Sequence, residues 1–284
     1  MLSAVAKLCC GISYPHSRNA AGLQRVAMTA LGEIPLPAWA SLLTWPWGNS
    51  HVETEGMAEG PNAMEMDLSY RRQGCRALRK ALEIVQSPDG WRTERTEDSG
   101  DTIYSKVLHG NRKVFRLEAE LEAEPDELYD VLFVKVEEMH QWNPSIQHIK
   151  VLKHIGKETM VTHEVSAERA GNLIGQRDFL SVRHSLKTGT CIYLGGAATH
   201  LDALPPQPGF VRAEDGPTCI VVQSLPGTPG RSRFTWLLNM NVKGWLPKAL
   251  VNQGLVRSQA DFMEHLRRQL AAKGRGSGKQ RGGE

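Results

Sequence analysis

Between about residues 147 and 242 apolar and polar side chains alternate with period two, and from Pro247 the pattern changes to the 3.6-residue period of a helix running to about Ala272. The alternation predicts strands near 147–153, 158–166, 177–186, 190–199, 209–215, 218–223 and 231–242. Short Gly/Pro/Asp connections separate them, notably Asp215-Gly216-Pro217 and Pro226-Gly227-Thr228-Pro229-Gly230. Hairpin spacing of this kind predicts an antiparallel meander. In the last strand Phe234, Trp236, Leu238, Met240 and Val242 share one face. In the helix Val251, Leu255, Phe262, Leu266 and Leu270 fall within an arc of roughly 100°, opposite Arg257, Asp261, Glu264 and Arg268. Such a helix must lay its apolar stripe on a partner. A curved antiparallel sheet wrapped around it makes an α+β unit with a space between sheet and helix, a natural small-molecule site. Periodicity leaves open whether side chains fill that space.

The chain before residue 147 supplies further elements. A helix is expected over Met66–Ser87, with Cys75, Leu78, Leu82 and Val85 on one stripe and Arg71, Arg72, Arg76, Arg79 and Lys80 elsewhere. Ile103–Leu108 and Lys113–Leu121 read as strands, the second with Arg116, Glu118 and Glu120 on its polar side. Pro125 opens a helix carrying Leu128, Val131, Leu132 and Met139.

The ends differ from the middle. Residues 1–32 hold Lys7, Arg18 and Arg25 and no acid, and are rich in Ala and Ser, which reads as a mitochondrial transit peptide. Residues 33–64 carry Trp39, Trp45 and Trp47 among four prolines, a linker or a segment suited to a membrane interface. The Gly-rich basic run 273–284 is expected to be a disordered tail. The folded domain is therefore placed at 65–272. With 34 Lys and Arg against 31 Asp and Glu, the net charge of +3 is too mild for a nucleic-acid binder. There is no apolar run of transmembrane length. Five cysteines without a CxxC pair argue against a disulfide framework or a zinc site.

Catalytic signatures are absent: no GxGxxG, Walker loop, GxSxG or HExxH. His163-Glu164 begins like a zinc-protease motif, but Ala167 stands where the second His is required. Two charges stand out instead. Glu164 lies in the otherwise apolar strand Met160–Val165, and Arg177, Phe179, Ser181 and Arg183 share one face of the strand expected to pair with it. If that face looks inward, carboxylate and guanidinium must pair, because burying either alone costs several kcal/mol. The pair is either structural or a polar spot for a mostly apolar ligand.

Trp142-Asn143-Pro144, Thr162-His163-Glu164 and Ala170-Gly171-Asn172-Leu173-Ile174-Gly175-Gln176-Arg177-Asp178-Phe179 resemble the lipid-transfer START domain, over about residues 66–270. Val211–Cys219, Thr235–Leu238 and Lys243–Lys248 narrow the likeness to a mitochondrial, steroidogenic branch of that family. The resemblance implies a helix-grip fold whose C-terminal helix closes a cavity holding one cholesterol, with no cofactor and no catalytic residue. It implies a monomer that moves cholesterol from the outer to the inner mitochondrial membrane, working at the outer-membrane surface with outer-membrane proteins. It places the family's buried acid–base pair on Glu164 and Arg183, with Arg177 a further sensitive arginine. Trp236, Leu238, Leu255, Phe262 and Leu266 become apolar wall, and basic Arg267, Arg268 and Lys273 suit anionic headgroups. Alternatives are a helix-grip enzyme using Glu164 as a base, or a carrier or sensor of another lipid. The chain departs from the family's pattern at residues 33–60, where an arginine-rich phosphorylation segment is replaced, and at Leu186–Thr190, where a second regulatory site is altered. Gly254 inside the closing helix is expected to cost roughly 1 kcal/mol relative to Ala.

Overall fold

The computed structural model describes residues 61–168 and 175–278. The expected leader and linker up to residue 60, the run Ala170–Ile174 and residues 279–284 lie outside the described residues. Helix α1 spans Pro61–Gln86, beginning earlier than the expected Met66. Strands β1 (Arg92–Thr96), β2 (Thr102–Leu108) and β3 (Arg112–Leu121) follow. A broken helical segment comes next: α2 (Pro125–Tyr129), a π-turn (Asp130–Val134), a 3-10 turn (Val136–Glu138) and α3 (Met139–Trp142). The chain then forms β4 (Ile146–Ile155), β5 (Thr159–Ser166), β6 (Arg177–Thr188) and β7 (Cys191–Ala198). It continues through β8 (Val211–Arg212), β9 (Glu214–Asp215), β10 (Thr218–Ser224), β11 (Ser232–Leu238) and β12 (Met240–Asn241). Helix α4 (Lys248–Gly278) closes the chain and runs past the expected end at Ala272 into the segment read as tail.

The main path of the sheet runs β1-β2-β3-β11-β10-β7-β6-β5-β4, with antiparallel neighbours throughout. The expected simple meander is corrected. Hairpins connect β4 to β7, the chain then crosses to β10 beside β7, and β11 returns to pair with β3. Two expected strands are also split. The 209–215 stretch divides at Ala213, whose N–H donates to Asp178 O at 2.9 Å, so β8 lies parallel to β6 while β9 pairs with β12. The 231–242 stretch breaks at Asn239, which accepts from Gly216 N–H at 2.7 Å and donates from Nδ2 to Pro217 O at 3.2 Å. The helix expected from Pro125 is broken because Lys135 N–H reaches back five residues to Asp130 O at 2.8 Å, a π-type bond. That extra residue in the turn coincides with burial of Val131, Leu132, Phe133 and Val136.

Both faces of the sheet are covered. On one face the core joins Leu255, Phe262, Met263, Leu266 and Leu270 of α4 to β3, β10 and β11 and to the 125–142 segment. On the other lies α1, where Tyr70 packs with Val161, Leu180 and Val182. The approach of α1 is close enough to require glycine: a Cβ on Gly74 would fall 2.7 Å from His184 Cβ, and one on Gly195 would fall 2.7 Å from Leu78 Cβ. Burial on both sides explains why β6 is buried almost continuously from Arg177 to Ser185. Part of the polar side of β3 is likewise not solvent, although Glu120 stays exposed. Arg116 is 6% exposed, lies 4.5 Å from the Trp91 ring and 4.9 Å from the Tyr104 ring, and donates to Val85 O at 3.1 Å. Among the described residues no helix is long and apolar enough to cross a membrane.

Gly195→Ala would push its methyl against Leu78, including Cα at 2.9 Å, so urea unfolding should show a loss of about 1–3 kcal/mol. Gly254 has open space where its Cβ would go, so Gly254→Ala should gain about 1 kcal/mol in the same assay. A pH effect is also expected from His184, whose ring bridges Cys75 Sγ at 3.3 Å and Thr159 Oγ1 at 2.8 Å. Burial first, then the charge of Arg71, lowers its pKa to about 4. An unfolded His titrates near 6.5, so on acidification the unfolded chain binds a proton before the folded one does. This contribution is intact above about pH 6.5 and is lost progressively towards pH 4, about 3 kcal/mol in all. Calorimetric melting across that range should be flatter for His184→Asn than for the wild type.

Candidate functional site

Between α4 and the sheet lies a cavity of about 480 Å³, within the roughly 300–1,000 Å³ typical of small-molecule sites. Its walls are mostly apolar: Leu132, Phe133 and Met139 from the broken helical segment, Trp236 and Leu238 from β11, and Val251, Leu255 and Phe262 from α4. The ring of Phe262 stands 4.9 Å from Trp236 and 5.5 Å from Trp142, tilted against both, so one aromatic residue of the helix is held by two of the body. Two external clefts also exist among the described residues. One, of about 820 Å³, lies between α1 and Thr199–Ala203, and one of about 540 Å³ lies at the β6–β7 hairpin. Neither borders the internal charges.

The alternation of β6 turns Arg177, Phe179, Ser181 and Arg183, the four expected to share one face, into the cavity. Glu164 arrives from β5, whose Glu164 pairs in register with Phe179. Arg183 Nη2 donates to Glu164 Oε2 at 3.1 Å, and its Nε donates to Thr162 Oγ1 at 3.0 Å. About a quarter of each side chain is accessible, 26% for Arg183 and 23% for Glu164, through the cavity that both line. The pair is thus withdrawn from bulk water without being sealed from a ligand. Burial raises the pKa of Glu164, the charge of Arg183 opposes this, and the nearby Asp215 carboxylate adds to the rise.

Asp215 is the site residue that sequence reasoning missed. The Asp-Gly-Pro triplet carries a strong turn signal, which hides the carboxylate. The break at Ala213 sends β9 across to β12 and brings Asp215 over β6, where Ser181 Oγ donates to its Oδ2 at 2.9 Å. Its pKa is raised chiefly by burial, against the hydrogen bond from Ser181 and the charge of Arg183. The polar end of the cavity therefore holds two carboxylates and one guanidinium. The Ser181 hydroxyl donates to Asp215 and the Thr162 oxygen accepts from Arg183.

Arg177 plays a different part from Arg183. Its guanidinium binds three backbone carbonyls, those of Gly175, Val242 (3.2 Å) and Lys243 (3.4 Å). It thereby ties the start of β6 to the loop preceding α4. In that loop Lys243 (φ 47°) and Gly244 (φ 75°) turn the chain sharply, leaving Trp245 96% exposed while Leu246 lines the cavity. Leu266, expected in the wall, is instead fully buried in the core beneath α4. Trp236, Leu238, Leu255 and Phe262 do line the cavity.

The basic groups at the end of α4 have partners. Arg267 binds Asp101 at 2.5 Å and Glu120 O at 2.8 Å, Arg268 pairs with Glu264, and Lys273 lies 3.5 Å from Asp130. Gln259, buried within the apolar stripe of α4, donates to Trp236 O at 3.3 Å. Among the described residues no cluster of His, Cys, Asp and Glu could hold a metal ion.

Removing either member of the Glu164–Arg183 pair strands the other. Glu164→Gln or Arg183→Met alone should lower stability by about 3 kcal/mol, the bottom of the range for buried pairs, since cavity access softens the loss. The double variant should recover most of it, giving a large coupling energy in a double-mutant cycle.

The START domain profile matches residues 71–275. The chain is 43% identical over 278 residues to the protein called "Steroidogenic acute regulatory protein, mitochondrial" of Danio rerio, covering 96% of this chain and 97% of that one. It is 43% identical over 276 residues to the protein of the same name from Homo sapiens, covering 95% and 96%. Among solved structures it resembles human StAR-related lipid transfer protein 5, with a TM-score of 0.61 at 19% identity, over 73% of this chain and 95% of the other.

Proposed function

The chain belongs to the START domain family, and from that premise we propose that it is a sterol carrier that moves cholesterol from the outer to the inner mitochondrial membrane to supply steroid synthesis. The observation that carries this reading is the division of the cavity into long apolar walls and one charged end. A sterol is a rigid apolar body with a single hydroxyl. Burying the body at about 25 cal/mol per Å² drives uptake, and the polar end fixes orientation. In this reading Glu164 and Arg183 receive the hydroxyl, while Trp236, Leu238, Leu255 and Phe262 hold the ring system. Leu266 supports them from below, and Arg177 sets the loop at the mouth. The protein is a carrier and not an enzyme. Residues 1–64 serve as mitochondrial leader and linker, as the names of the similar proteins favour. Residues 65–272 are the binding domain, followed by a basic tail.

Exchange requires α4 to move. Beyond the core packing of Met263, Leu266 and Leu270, it is held by Phe262 between two tryptophans, Gln259 on the Trp236 carbonyl, Arg267 on Asp101 and Lys273 on Asp130. Since the basic groups expected to meet headgroups are occupied in this way, docking falls to the mouth. There Trp245 and Leu250 are exposed beside the cavity, and indole sits well at a lipid–water interface.

The test is transfer of radiolabelled cholesterol between donor and acceptor vesicles by the purified protein. Wild type should transfer, and Phe262→Asp, which plants a charge between Trp142 and Trp236, should lose most of the rate. An unchanged rate would show that α4 is not the gate. Isolated steroidogenic mitochondria, assayed for the first side-chain-cleaved steroid, test the direction of movement.

A further inference from the structure

The charged end of the cavity contains more acid than one sterol hydroxyl requires. Arg183 is committed to Glu164 and Thr162, and Ser181 offers Asp215 a single hydrogen bond. Arg177, the other guanidinium on the cavity wall, is occupied by backbone carbonyls at the mouth. Ser181 and Arg183 stand two residues apart on one face of β6, about 7 Å along the strand, so the carboxylates they hold address separate points of a ligand. Opposite Arg183 in register is Gly196, where a Cβ would fall 2.8 Å from Val182 O, so β7 sends no side chain in at this point.

Resting on the sterol-carrier reading, we propose that Asp215, held by Ser181, is a second polar anchor, and that the cavity prefers sterols carrying two hydroxyls on the ring system over sterols carrying one. The first hydroxyl meets Glu164 and Arg183. The second, a few ring carbons away, donates to Asp215. Two carboxylates facing one guanidinium, which is already shared between Glu164 and Thr162, leave this end of the cavity short of hydrogen-bond donors, and a diol supplies what a single hydroxyl cannot.

The experiment is a competition. The purified full chain is offered equimolar cholesterol and 7α-hydroxycholesterol in detergent, and the bound sterols are weighed by native mass spectrometry. 25-Hydroxycholesterol, with its second hydroxyl on the tail, serves as control. Wild type should favour the ring diol over cholesterol by about tenfold, as one added hydrogen bond to a charged group allows, and should favour the tail diol much less. Asp215→Asn keeps the shape and removes the charge, and the ratio should fall towards one. Ser181→Ala leaves the carboxylate but frees it, and should lower the ratio as well. Circular dichroism melting confirms that each variant is folded. The anchor is overturned if wild type binds cholesterol and shows no preference for the ring diol, or if both folded variants keep the wild-type ratio. Failure of wild type to bind any of the three sterols would overturn the carrier reading and the anchor together.

Discussion

An antiparallel sheet with nine strands on its main path has a wide apolar face, and here one helix covers the part that encloses the cavity. Helix α4 meets that face along a stripe, not across a plane, so sheet and helix touch at some points and stand apart at others. The decisive contact is Phe262 between Trp142 and Trp236. It fixes the helix near its middle, with the cavity beside it and the solid core beyond it. Leu266 and Leu270, a turn or two further on, are packed in the core. Val251 and Gly254, before it, look into open space. The same helix is thus core at one end and cavity wall at the other.

That arrangement decides how the polar groups are used. Inside the cavity, charges lack bulk water and must answer to one another, as Glu164 and Arg183 do. At the mouth Arg177 meets no carboxylate among the described residues and satisfies main-chain carbonyls instead, so a guanidinium becomes part of the scaffold. Along α4, Gln259 interrupts the apolar stripe and finds a carbonyl of β11. Buried polar groups of this kind cost stability unless matched, and a match in one geometry favours that geometry over its neighbours.

Much of this is visible in the order of the residues. The arc of Val251, Leu255, Phe262, Leu266 and Leu270 on α4 follows from 3.6-residue spacing alone, and the inward face of β6 follows from period two. A carboxylate within the apolar run Met160–Val165 announces itself as a buried charge. What escapes a one-dimensional pattern is anything fixed by a change of partner. Asp215 is read as a turn residue because Gly216 and Pro217 follow it, whereas the chain divides at Ala213 to reach β12. Arg116 reads as surface because it alternates with core residues, yet Trp91 and Tyr104 close over it. The helix after Pro125 has regular spacing and an irregular backbone, since one π-type bond at Lys135 changes its phase.

The glycine contacts behind the sheet have a consequence for what the cavity can accept. With Gly74 against the His184 side chain and Gly195 against Leu78, α1 lies on β6 and β7 only one side chain deep at those points, and there is little slack for the strands to bow outward. Interiors packed to that density resist compression and dilation alike. The back wall therefore behaves as a mould of fixed shape, and every change in capacity must come from the front, where the first turns of α4 line the cavity. Selectivity and exchange are in this way assigned to opposite walls: the rigid one judges the shape of a guest, and the yielding one sets how long it stays.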